Sequence, residues 1–75
     1  MTRDELIRRL RRLARRRGVA YEVERARGKG GHWIVRFGDA PRQPVPQAKG
    51  GDLKPGTIGT ILRNFGLRAD DLAGM

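Results

Sequence analysis

Leu6, Ile7, Leu10, Leu13 and Ala14 recur at spacings of three and four, which draws one apolar stripe along a helix, with Arg8, Arg11, Arg12 and Arg15 on the opposite side. Just before this stripe, Thr2-Arg3-Asp4-Glu5 fits a capping box, in which the threonine oxygen and the glutamate each satisfy the other's backbone N–H. Asp4 and Glu5 stand four residues ahead of Arg8 and Arg9, the favourable order for helical ion pairs, and Gly18 supplies a stop. Beyond it the period changes to two. Val19, Tyr21 and Val23 alternate with polar neighbours, and so do Trp33, Val35 and Phe37 up to Gly38-Asp39, which predicts two strands joined by a glycine-rich turn. With Trp33, Val35 and Phe37 turned to the helices, the alternation puts His32 and Arg36 on the open face, beside Glu22 or Glu24.

Pro41, Pro44 and Pro46 allow only a short third strand around Gln43 to Val45, at an edge, because proline cannot donate to a ladder. A polar loop from Gln47 leads to Pro55, which suits the first turn of a second helix whose stripe is Ile58, Ile61, Leu62 and Phe65 and whose stop is Gly66. A last helical turn at Ala69 to Leu72 closes the core with Leu67 and Leu72. The pattern predicts a single α+β domain over residues 1–75, ordered helix, three-stranded antiparallel sheet, helix.

Composition narrows the chemistry. A chain of 75 residues without cysteine has neither a disulfide staple, nor a thiolate metal site, nor a cysteine nucleophile. Its apolar runs are far shorter than a membrane span and the start lacks the apolar segment of a signal peptide, so the expectation is a soluble, cytoplasmic protein. Lys+Arg 17 against Asp+Glu 8 gives a formal net charge of +9, and a field of that sign favours polyanions, nucleic acid first. The arginine side of the first helix also reads as an ordinary solvated face. It carries no Trp or Phe for lipid headgroups, which argues against a membrane surface.

Arg27-Gly28-Lys29-Gly30-Gly31 leads into His32, the only histidine and the one side chain of a type that exchanges a proton near neutral pH. Glycines there let a ligand backbone approach closely. A nucleotide P-loop is excluded, since Gly28-Lys29-Gly30 leads into a strand rather than into Ser/Thr and a helix. One histidine with scattered carboxylates makes no transition-metal set, and the chain contains no serine for a triad. The reaction class that remains is metal-independent RNA cleavage, where the substrate's own 2′-hydroxyl is the nucleophile and the protein moves protons and stabilises phosphorane charge, for which Lys29 and Arg36 are candidates. The competing reading is a plain surface histidine. A second anion candidate is the start of the second helix, with Gly56 and Thr57 N–H groups beside Lys54 and Lys49. Trp33 and Tyr21 are read as core rather than as base-stacking groups.

Taken together, Glu5-Leu6-Ile7 with Leu10, Gly28-Lys29-Gly30-Gly31-His32, Val45-Pro46, Leu53-Lys54-Pro55-Gly56-Thr57-Ile58, Ile61-Leu62 and Gly66-Leu67 resemble the HicA family of bacterial toxins over nearly the whole chain. The resemblance implies a fold like that of double-stranded-RNA-binding domains, an mRNA-cleaving (mRNA interferase) toxin of a type II toxin–antitoxin system, no cofactor and a HicB-like antitoxin as partner. It implies His32 as the catalytic residue, and Lys29, Gly30, Gly31, Arg36, Lys49 and Lys54 are the candidate RNA contacts. The chain departs from the family pattern with Gly31 in place of the usual serine, Trp33 in place of a polar residue and Gly59 in place of a larger, often basic one. The alternative is a non-catalytic RNA-binding module of the same shape, or a degenerate toxin acting through RNA and antitoxin binding.

Overall fold

A computed structural model describes residues 1–25, 32–48 and 50–75. Its elements follow the order helix α1 (Arg3–Arg17), strands β1 (Tyr21–Glu24), β2 (Trp33–Phe37) and β3 (Gln43–Val45), then helices α2 (Pro55–Asn64) and α3 (Ala69–Leu72). The strands form one antiparallel sheet in the order β1-β2-β3, with Val23 opposite Val35 and Trp33 opposite Val45. The fold is thus α+β, as the periodicity predicts, and the proline-bearing third strand does lie at an edge.

The apolar stripe of α1 supplies Leu6, Leu10, Leu13 and Ala14 to the core, where they join Val35, Phe37, Val45, Ile61, Leu62 and Phe65. The stripe forms because residues three and four apart share a helix face, and burial of such side chains is the main driving force for a domain this small. Phe37 links the layers: its ring lies 5.8 Å from that of Phe65, and Tyr21 meets it edge-on at 6.4 Å. The Tyr21 hydroxyl donates to the Ile7 carbonyl at 2.8 Å, so a half-buried phenol is satisfied and burial pushes its pKa up. Asn64 Nδ2 donates to Gln43 Oε1 at 2.9 Å, tying the end of α2 to β3. Among the described residues no helix is long and apolar enough to cross a membrane.

Three local expectations change. Thr2 caps α1 by accepting the Glu5 N–H at 3.1 Å, yet the Glu5 carboxylate turns the other way and pairs with Arg9 at 3.5 Å, so half of the reciprocal box is replaced by an i,i+4 ion pair. Val19, expected to point inward with Tyr21, is 37% exposed, because β1 begins only at Tyr21 and Val19 belongs to the turn that ends α1. His32 falls just outside β2.

That turn depends on Gly18, which has φ 67° and ψ 33°. The Val19 N–H reaches the Ala14 carbonyl at 3.0 Å, the long bond of a Schellman motif. A Cβ at Gly18 meets nothing within 4 Å, so the cost of a side chain there is conformational rather than steric. Gly18→Ala is expected to lower stability by about 1 kcal/mol, and Gly18→Asn by less, in urea unfolding. Equal midpoints for wild type and Gly18→Ala would show that the left-handed cap carries no strain.

Candidate active site

β2 runs through the middle of the sheet, and its first residue, Trp33, is paired with Val45 of β3, beyond the last β1 pair at Glu24 and Ile34. His32 immediately precedes it and is exposed. None of the side-chain hydrogen bonds and ion pairs among the described residues involves His32. Its side chain is exposed to solvent.

The surroundings of this end of the sheet are set by Trp33. The Arg3 guanidinium lies over its ring, 3.8 Å from the centroid, and that of Arg25 lies 4.7 Å away. An indole face attracts cations through its quadrupole, which compensates in part for a guanidinium that is otherwise short of partners. Arg3 Nε and Nη1 are buried and have no hydrogen-bond partner among the described residues. An antiparallel bridge joins Thr2 to Asp52, two positions before Lys54, which is the N-cap of α2 and carries no side-chain capping bond. The starts of both long helices, with their positive dipole ends, are thereby gathered at the end of the sheet that displays His32.

Arg36 is placed differently. It sits on the face away from the helices, opposite Glu22 in the β1–β2 register, and its Nη1 lies 3.8 Å from a Glu22 carboxylate oxygen. Four positions of extended chain separate Arg36 from His32, roughly 13 Å at strand rise, which is too far for the two to act on one phosphate at close quarters. The open face also carries Glu22, Glu24 and Arg42 around a shallow depression of about 240 Å³, so cations and carboxylates balance there. Lys54 is exposed at the start of α2. Lys29, Gly30, Gly31 and Lys49 lie outside the described residues.

Sequence reasoning missed Arg3 and Arg25. The signal for Arg3 was present, since it stands three before Leu6 and seven before Leu10, on the apolar stripe itself, where a charged residue needs an aromatic or ionic partner. Arg25 had no comparable signal, because it follows the last residue of β1 in a stretch without periodicity. Compared with family profiles, curated proteins and solved structures, the chain gives no significant match.

Proposed function

We propose that this protein is the toxin of a HicA-type toxin–antitoxin system, an mRNA-cleaving endoribonuclease of double-stranded-RNA-binding-domain-like shape that needs no metal and is restrained by a HicB-like antitoxin. The observation that carries this reading is the exposed His32, without a side-chain hydrogen bond or ion pair to a described residue, at the entry to a central strand. There the Arg3 and Arg25 guanidinium groups lie on Trp33 and the starts of α1 and α2 meet, with Asp4, Glu5 and Asp52 offsetting part of the positive charge. In the proposed reaction His32 takes the proton of an RNA 2′-hydroxyl, and that oxygen attacks the adjacent phosphorus. The P–O5′ bond then breaks with proton donation to the leaving oxygen, giving a 2′,3′-cyclic phosphate and a 5′-hydroxyl end. The phosphorane charge is met by cations at this end of the sheet, Lys54 among them, rather than by Arg36.

RNA retention is assigned mainly to α1. Eight of the chain's 17 Lys and Arg residues lie on this helix, and Arg8, Arg11 and Arg15 form an exposed line on its outer side. Because α1 begins at the His32 end, this line leads away from the site along the outer layer. Replacing Arg8, Arg11 and Arg15 together by glutamine is expected to weaken RNA binding and to flatten the plot of log affinity against log salt by roughly 2 units. An unchanged slope would place the phosphate contacts elsewhere.

The direct test is incubation of purified protein with RNA in EDTA, with the cut ends identified. Cyclic phosphate ends support the reading; intact RNA bound in a salt-sensitive manner supports the non-catalytic module instead. That second reading is favoured by one observation, the lack of any described acid or base bonded to His32 that would serve as the second proton-transfer group.

A further inference from the structure

Gly59 occupies the interior of α2, a place where glycine is among the poorest helix formers. Nothing within the fold asks for it. Its φ is not positive, and a Cβ built on it meets no atom within 4 Å. What the missing side chain does create is depth in a groove of about 620 Å³ between α2 and the start of α3. Ile58, Leu62 and Leu67 form its apolar floor, Gly59 opens it, and the exposed Arg63 and Arg68 flank it.

We propose that this groove docks an acidic, amphipathic segment of a protein partner, with apolar side chains seated over Gly59 and carboxylates on Arg63 and Arg68. Charge complementarity selects the occupant. The charged groups of the lining are two arginines and the Met1 terminus, whose ammonium is paired with Asp52 at 3.2 Å; no carboxylate lines the groove, and neither arginine is in an ion pair with a described residue. A second copy of this chain would bring the same arginines and another net charge of +9 to the contact, which is repulsive. RNA matches the charge but not the floor, since the lining has no aromatic ring on which a base would stack. A helix with leucines at spacings of three and four and glutamates beside them satisfies both the floor and its flanks. The proposal does not depend on ribonuclease activity and survives its failure.

The test uses the full chain and a synthetic helical peptide with that leucine–glutamate pattern. Its control is the same peptide with every leucine changed to alanine, which keeps the charge. Binding is followed by calorimetry and by backbone amide shifts. The leucine peptide is expected to bind at least about tenfold more tightly than the control, with shifts concentrated over residues 55–69. Gly59→Trp, which fills the groove without changing charge, is expected to weaken binding about tenfold, and Arg63→Glu with Arg68→Glu to weaken it further. Gly59→Ala serves as the folding control, with a urea midpoint above that of wild type. Equal binding of the two peptides, shifts elsewhere, unaltered affinity in a folded Gly59→Trp variant, displacement of the peptide by an RNA oligonucleotide, or Gly59-sensitive dimers in sedimentation would each overturn the proposal.

Discussion

His32→Ala is expected to lower the proposed RNA cleavage by about 100- to 10,000-fold, the range that a positioned acid or base contributes, while leaving the fold intact. The separation of the two effects follows from the surroundings of the residue. His32 is exposed and outside the strand ladder, so its removal neither opens a cavity nor leaves a buried partner unsatisfied. Its urea midpoint is expected to match wild type, with any difference within about 0.5 kcal/mol. Cleavage is read on an end-labelled RNA in EDTA, and the same variant is expressed in cells to follow growth. A folded His32→Ala protein that cuts RNA at the wild-type rate, or arrests growth to the same extent, removes His32 from the mechanism. Loss of cleavage with RNA binding retained is the expected pattern, because the arginine line of α1 is untouched.

Leu10→Ala is expected to have the largest effect on stability, a loss of about 2–5 kcal/mol. Leu10 is fully buried at 0% exposure and lies midway along the stripe that joins α1 to the sheet. For a domain of this size a single core contributes net stability of only about 3–5 kcal/mol, so this one truncation removes most of it. The thermal midpoint should fall by more than about 10 °C, since 1 kcal/mol corresponds to roughly 4–8 °C here. Arg16→Ala, exposed on the same helix, is the contrast and should stay within about 0.5 kcal/mol of wild type. A small shift for Leu10→Ala, comparable to that of Arg16→Ala, would show that α1 is not held by the core described above.

The two substitutions sit on opposite sides of what was legible before the fold. Leu10 and its neighbours could be read because helix burial leaves a period of three and four in the chain, and β3 because proline restricts where a strand can lie. His32 could be read as exposed from strand alternation. Arg36 was placed on the correct face by the same alternation, but alternation alone did not weigh the strand rise that separates it from His32. The half-formed capping box shows the same limit: Thr2 and Glu5 were correctly spaced, and which partner Glu5 would choose depended on the rotamer and on Arg9.

By itself the sequence determined the order and type of the elements, the stripe that becomes the core, the excess of positive charge and the exposure of its single histidine. These are local or periodic properties, written in residues a few positions apart. Only the tertiary structure decided that Arg3 and Arg25 meet Trp33, that the starts of α1 and α2 gather at the His32 end, and that Gly59 opens a groove flanked by Arg63 and Arg68. Most of those relations join residues far apart in the chain, through contacts that depend on the packing of one layer against the other. The groove at Gly59, though close in sequence, depends on how α2 and the start of α3 are set against each other. A pattern of neighbours along the chain therefore marks Arg3 as a residue in need of a partner but carries no record of which partner it meets, nor of the other relations.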